Sequence, residues 1–95
     1  MAIRHYPAIV EGDARTGYSV FFPDLPGCTS GAGTLQQAAL NAEQALAGHV
    51  DLMLEAGERL PEPSVLDMLP RPIEPDVVET TRLLVRVRVR EALPA

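Results

Sequence analysis

The sequence has few of the residues that mark secreted, membrane or thiol-dependent proteins. It holds one cysteine, no tryptophan, two phenylalanines and two tyrosines in 95 residues. The single cysteine, Cys28, excludes an internal disulfide and favours a reducing compartment. No apolar run reaches the roughly 20 residues that a membrane helix needs, and the first residues lack the apolar segment of a signal peptide. We therefore expect a cytoplasmic chain that does not enter a membrane.

Length and composition predict a single small domain, residues 1–95, with a thin core. Hydrophobic residues make up 46% of the chain, which is enough for folding. Many of them are alanines, however, and alanine buries little area. A thin core is stabilised when a second surface covers it. We therefore expect a homo-oligomer, either a dimer or a tetramer, or a complex with another protein.

Charge is distributed unevenly along the chain. The formal net charge is -5, and all eight basic residues are arginines. Residues 1–79 hold twelve acids and four arginines, whereas residues 80–95 hold four arginines and one acid. An acidic body disfavours nucleic acid, which needs a basic footprint, and suits a basic protein partner. The alternative is that the acidity only keeps the protein soluble.

Two runs of alternating apolar residues predict a β-hairpin near the start of the chain. The runs span residues 5–11 and 18–22, and the connection between them contains glycine and aspartate. Prolines in the next segment, residues 23–27, prevent the second strand from continuing. A short third strand is predicted around residues 28–31.

A long amphipathic helix is predicted to begin at Thr34 and to stop at Gly57, with a length of roughly 22 residues. Thr34 and Gln37 form a capping-box pattern, in which each side chain satisfies a backbone N–H group of the first turn. Gly57 supplies the left-handed conformation that ends many helices. Residues at helical spacing are expected to face the core: Leu35, Ala39, Ala42, Leu46, Val50 and Met53.

A proline-rich crossover, residues 65–79, and a terminal strand, residues 80–91, follow the helix. The crossover is expected to be extended yet packed through Leu60, Val65, Leu66, Met68 and Leu69, with Ser64 capping one short turn. The strand alternates Val85, Val87 and Val89, expected toward the helix, with Arg86, Arg88 and Arg90 on the other face. The order β-β-β-α-β indicates an α+β fold, with one mainly antiparallel sheet of three to four strands backed by one long helix.

The first 64 residues carry five short blocks in a distinctive order. A Pro-Asp-Leu-Pro-Gly turn would be weak by itself, since many turns have this composition. The blocks are residues 6–11 (YPAIVE), residues 17–28 (GYSVFFPDLPGC), Gly31 before the helix, residues 38–42 (AALNA) and residues 60–64 (LPEPS). In this combination the sequence resembles the HicB-like antitoxin family of bacterial toxin–antitoxin pairs.

The resemblance implies a partial RNase H-like fold and a protein partner. Members of the family neutralise HicA, a small basic RNA-cleaving toxin with a fold of the double-stranded-RNA-binding type. Many of them add a C-terminal helix-turn-helix or ribbon-helix-helix segment that binds DNA. This sequence departs from that pattern, because only Glu91-Ala92-Leu93-Pro94-Ala95 follow Arg90. We therefore expect a HicA-like partner, without specific DNA binding by this chain alone.

No residue pattern predicts catalysis, a cofactor or a bound metal. RNase H chemistry needs several carboxylates that converge on two metal ions. The acidic candidates lie in a turn, a loop and a helix without a metal-ligand spacing: Asp13, Asp24, Asp51 and Glu55. His49 is expected to pack at the edge of the helix stripe and His5 to lie on a strand, and Cys28 has no nearby base that would favour its thiolate. We therefore expect a protein that is not an enzyme.

The binding hypothesis assigns contacts to exposed acids and to the terminal arginines. Occlusion of a basic toxin's active site would use acids of the loop and the helix: Asp24, Glu43, Asp51 and Glu55. For Asp24 the alternative is that its loop only shapes the backbone. Arg86, Arg88 and Arg90 are candidate contacts to nucleic acid or to a second subunit, or form the solvent face of a strand. The alternative function is a stand-alone oligomeric domain that binds nucleic acid or a small ligand and has no toxin partner.

Sedimentation of the isolated chain tests the predicted self-association. At micromolar concentration we expect a mass at least twice that of the 10.2 kDa chain. The thin core and the edge of the terminal strand both favour a second subunit. A monomeric mass under these conditions would contradict the prediction.

Overall fold

The structure, a computed structural model, describes residues 2–70 and 79–90. In these ranges four strands, one α-helix and one 3₁₀ turn follow one another. They are β1 (Ala2–Asp13), β2 (Gly17–Phe21), β3 (Thr29–Ala32), α1 (Leu35–Glu55), the 3₁₀ turn (Leu66–Met68) and β4 (Glu79–Val89). The strands form one antiparallel sheet in the order β3-β2-β1-β4, and α1 packs on one of its faces. The predicted α+β fold is confirmed.

Strand β1 is central and longer than the predicted residues 5–11. It pairs with β4 from Ala2↔Val89 to Glu11↔Glu79, with a register shift between Val10 and Glu11, and with β2 from Ile9 to Asp13. The outer parts of β1 lack clear alternation in the sequence. They are extended because β4 pairs with them. This pairing is a tertiary effect, and the local sequence pattern does not indicate it.

Helix α1 begins and ends where the sequence predicts. The Gln37 backbone N–H donates to Thr34 Oγ1 at 3.1 Å, so the N-cap is confirmed. The reciprocal half of the capping box is wrong, because the Gln37 side-chain amide donates instead to Asn41 Oδ1 at 2.9 Å. At the other end, Gly57 has a φ of +76°. The N–H groups of Gly57 and Glu58 donate to the carbonyls of Leu54 and Met53, as in a Schellman motif.

The buried face of α1 differs slightly from the predicted stripe. Ala42, Leu46 and Val50 are buried as expected, together with Ala38. Leu35 is exposed, and Ala39 and Met53 are half-buried, because a spacing of four residues fits the contact line better than the mixed spacing assumed. Two of the four buried helix residues are alanines, so Leu46 and Val50 are the only large side chains among them. The three largest fully buried side chains lie outside the helix: Tyr6, Phe22 and Leu25.

The opposite face of the sheet is partly covered by the segment that follows α1. Ile9 is buried and pairs with Arg82, whose side chain shares that face. The Arg82 guanidinium donates to the carbonyls of Leu66, Leu69 and Pro70 at 3.2, 2.9 and 3.1 Å, and pairs with Glu79 at 2.9 Å. This arginine therefore ties the start of the crossover to β4.

The crossover packs less completely than predicted. Leu60 and Leu69 are buried, but Val65 and Met68 are 63% and 79% exposed. Val65, and not Ser64, occupies the N-cap position of this turn, and no side chain caps it. The remainder of the predicted crossover, residues 71–78, lies outside the described residues.

Strand β4 has the predicted alternation. Val85, Val87 and Val89 are buried toward α1, whereas Arg86, Arg88 and Arg90 are exposed. The strand spans Glu79–Val89, so its start agrees with the prediction to within one residue. Residue 91, the predicted last residue, lies outside the described part of the chain.

A pair of aspartate substitutions tests the assigned face of α1. Leu46→Asp should unfold the protein, because an unpaired buried carboxylate costs several kcal/mol, against a stability of about 5 kcal/mol for a small domain. Gln44→Asp adds the same charge on the exposed face and should leave the thermal melt almost unchanged. Equal melting temperatures for the two variants would contradict this orientation of the helix.

Candidate partner-binding surface

The loop between β2 and β3, residues 23–27, is held by its own backbone. Leu25 N–H donates to the Phe22 carbonyl, and Cys28 N–H donates to the Leu25 carbonyl, both at 3.0 Å. Leu25 is 1% exposed and belongs to the core. Gly27 has a φ of +89°, which favours glycine and lets the chain turn into β3. The loop therefore has the structural role predicted for it.

Asp24 joins this loop to the segment after the helix. Its carboxylate accepts hydrogen bonds from the Ser64 backbone N–H at 2.7 Å and from the Ser64 hydroxyl at 2.5 Å. The side chain is half-buried, so it is not the freely exposed acid of the binding hypothesis. The contact between Asp24 and Ser64 could not be predicted from sequence spacing, because forty positions separate the two residues.

A second polar contact holds the same segment. The Tyr6 hydroxyl donates to the Pro61 carbonyl at 2.6 Å, and the Arg4 guanidinium donates to the same carbonyl at 3.1 Å. Arg4 also lies 3.8 Å from the exposed carboxylate of Glu62. The sequence does not predict this contact, because every residue has a backbone carbonyl and the residue type does not show which one accepts a hydrogen bond.

An apolar groove of about 400 Å³ lies between the loop and the last turns of α1. Loop and helix are close here, because a Cβ built on Gly27 would lie 3.9 Å from His49 Cε1. Two acidic side chains stand among the groove's apolar ones, and no arginine lines it. We call this the acidic groove; its lining residues are Asp24, Leu25, Pro26, His49, Leu52, Met53, Ala56 and Glu58.

The predicted contact acids do not form one cluster. Glu43, Asp51 and Glu55 are all exposed on α1, but eight residues separate Glu43 from Asp51, about 12 Å along a helix. Of the four predicted acids only Asp24 lines the acidic groove. Leu40 and Leu52 are also exposed on the helix. The solvent side of α1 therefore combines separated carboxylates with exposed apolar side chains.

The terminal arginines fall into two places. Arg86 and Arg88 lie on the face of the sheet opposite α1, whereas Arg90 follows the strand. Arg90 lines a second groove together with Arg4 and Arg59, with Leu54, Leu60 and Val89 as apolar neighbours. These three arginines are far apart in sequence, so no local motif predicts that they lie close together.

The residues considered for catalysis stay apart. The Asp13 carboxylate accepts hydrogen bonds from Thr16 and from the Arg15 N–H in the β1–β2 turn, and the Thr16 contacts lower its pKa. Burial raises the pKa of the Cys28 thiol. Within residues 2–70 and 79–90, no three His, Cys, Asp or Glu side chains are placed to hold a metal ion. No helix in the same ranges is long and apolar enough to cross a membrane.

A sheet covered by one helix, with a groove and a partly apolar helix surface open to solvent, makes this a small α+β domain. A family model described as the HicB-like antitoxin of bacterial toxin–antitoxin systems matches residues 6–93. The chain belongs to this family of antitoxins. Since the family is not enzymatic, the expectation of a non-enzymatic protein is confirmed.

Two curated relatives are similar to part of the chain. An uncharacterised 14.9 kDa protein of Haemophilus phage HP1 is 42% identical over 62 residues, which is 65% of this chain and 46% of the phage protein. Antitoxin HicB 2 of Photorhabdus laumondii is 37% identical over 59 residues, 62% of this chain and 42% of that protein. The chain thus matches less than half the length of each relative.

Solved structures show the same fold. The N-terminal domain of the Burkholderia pseudomallei antitoxin HicB has a TM-score of 0.68 and 31% identity, over 86% of this chain and 95% of that one. A chain of the HicA3 and HicB3 toxin–antitoxin complex has a TM-score of 0.61 and 23% identity, over 93% of this chain and 100% of that one. The second likeness concerns the fold alone.

The reactivity of Cys28 tests its assignment as a buried core residue. Burial excludes reagents and raises the thiol pKa, so less of the reactive thiolate is present near neutral pH. We expect a disulfide reagent to modify Cys28 on the order of 100-fold more slowly in the native protein than in the urea-unfolded chain. Equal rates would show that the thiol is accessible, contrary to the structure.

Proposed function

We propose that this chain neutralises a small basic HicA-type RNA-cleaving toxin by covering the toxin's active site. The observation that carries the proposal is the solvent side of α1, where three carboxylates and two exposed leucines lie on one rigid element. Membership of an antitoxin family supports the role. The occurrence of this fold in a complex of HicA3 and HicB3 supports the kind of partner. We place the pair in the cytoplasm, in keeping with a reduced Cys28.

The mechanism follows from electrostatics and area. A toxin that cleaves RNA must hold phosphates with basic side chains, so an acidic protein surface competes for the same groups. Stable complexes bury about 800 Å² on each partner. The 21 residues of α1 extend over roughly 31 Å, so the helix offers a long surface toward such an interface. Apolar contacts at Leu40 and Leu52 would supply affinity, while Glu43, Asp51 and Glu55 would orient the toxin and speed association.

Neutralising the helix acids tests this surface. Asp51→Asn with Glu55→Gln should lower the affinity for a HicA-type toxin about tenfold, mainly through slower association at low salt. Adding Glu43→Gln should lower it further. The measurement is a titration of toxin RNA cleavage, together with association rates at two salt concentrations.

A matched double variant controls for net charge. Glu62→Gln with Asp67→Asn also removes two exposed carboxylates, but both lie after the helix. This control should inhibit the toxin as well as the native chain does. Equal inhibition by the two double variants would mean that the interface lies elsewhere. If the native chain does not bind the toxin, the stand-alone binding domain becomes the better interpretation.

We also propose that the protein self-associates. Strand β4 lies at the edge of the sheet, and Ile3 and Leu84 are exposed on its uncovered face. Paired subunits would cover such apolar surface. Specific duplex DNA binding is not part of the proposal, because the exposed arginines of β4 belong to a chain with a net charge of -5.

A further inference from the structure

We propose that the acidic groove receives one long basic side chain, an arginine or a lysine, from the toxin. The aliphatic stem would lie on Leu52 and Met53, and the cation would end between Asp24 and Glu58. This inference rests on the proposed function and adds to it a defined anchor at the last turns of α1, next to the surface already assigned.

The shape of the groove suits a single side chain. Its volume of about 400 Å³ is near the lower end of the range for small-molecule pockets. Leu25 contributes to the apolar lining, and Leu52, which is 67% exposed, stands at the open side. The methylene groups of arginine and lysine pack on such surfaces while the charged end stays near polar groups.

Charge selects the cation. Asp24 and Glu58 are acidic, and none of the eight lining residues is an arginine, although Glu58 also borders the second groove, which Arg4, Arg59 and Arg90 line. A purely apolar occupant would desolvate these carboxylates without replacing their hydrogen bonds. An acidic occupant would be repelled by both of them.

Ser64 fixes the orientation of the Asp24 carboxylate. The Ser64 N–H and hydroxyl each bond to a different oxygen of the Asp24 carboxylate. Since each carboxylate oxygen accepts about two hydrogen bonds, one acceptor position remains on each oxygen. The carboxylate is therefore oriented before binding, which reduces the entropy lost when a partner docks.

The first arm of the test blocks the groove with a charge of its own. Ala56 lines the groove at the exposed C-cap of α1, so Ala56→Lys places an ammonium group there without disturbing the core. We expect at least a tenfold loss of toxin affinity, and a fivefold loss for Glu58→Gln. The control Ala14→Lys adds the same charge in the exposed β1–β2 turn and should bind the toxin normally.

The second arm needs no toxin. N-acetyl-arginine amide, titrated at millimolar concentration into the full chain, should shift the NMR signals of His49 and Leu52. N-acetyl-citrulline amide has the same shape without the charge and should bind at least fivefold more weakly. The difference should disappear in Glu58→Gln.

The outcomes separate the two proposals. A native chain that does not bind the toxin refutes the proposed function, and the arginine titration then decides the groove by itself. Toxin affinity of Ala56→Lys within twofold of the native value overturns the inference. Equal shifts from the arginine and citrulline probes also overturn it. A loss of self-association in Ala56→Lys, seen by sedimentation with toxin affinity intact, would assign the groove to a second copy of the chain and overturn it as well.

Discussion

The structure depends on covering the central strand on both faces. Residues 6–10 of β1 are buried without interruption, although successive residues of a strand point to opposite sides. Helix α1 covers the side of Tyr6, Ala8 and Val10. The chain after the helix must therefore reach the other side, where Ile9 is buried. A single helix on a single sheet would leave that side open to water, so the crossover is part of the core and not merely a connection.

Polar contacts hold the whole segment after α1, from Pro61 to Pro70, in which Val65 and Met68 are exposed. Tyr6 and Arg4 bind the carbonyl of Pro61, Asp24 binds Ser64, and Arg82 binds three carbonyls near the 3₁₀ turn. Prolines lower the entropy lost on ordering the segment. Their carbonyls still need donors when they are removed from water. Arginine, with five donors in a planar group, satisfies several carbonyls at once. The contact with Ser64 fixes Asp24, whose loop forms one wall of the acidic groove.

The sequence predicts the elements well and the contacts between them poorly, for one physical reason. Thr34, Gly57 and the Val–Arg alternation of β4 are local signals, since capping and pleating act within a few residues. The length of β1, the Asp24–Ser64 contact and the role of Arg82 depend on residues brought together by the fold. Arg82 has the same side chain as Arg86 and Arg88, which are exposed. It is half-buried because the start of the crossover packs against it. Similarly, Glu58 becomes part of a groove only because the loop of residues 23–27 packs against the helix.

The arrangement also explains how an acidic protein carries an exposed row of arginines. The carboxylates of Glu43, Asp51 and Glu55 lie on the helix layer, and Arg86 and Arg88 lie on the sheet face opposite it. The core separates the two sets, so they neither neutralise each other in ion pairs nor present one mixed surface. A basic partner approaching α1 meets carboxylates and no arginine of the helix itself, while Arg4, Arg59 and Arg90 line a groove beside Leu54 near its last turn. On the other face, arginines on an edge strand oppose uncontrolled sheet extension. Because orientation during approach depends on such separated charge, the proposed basic toxin would approach the carboxylates of α1 more readily than the arginine face of the sheet.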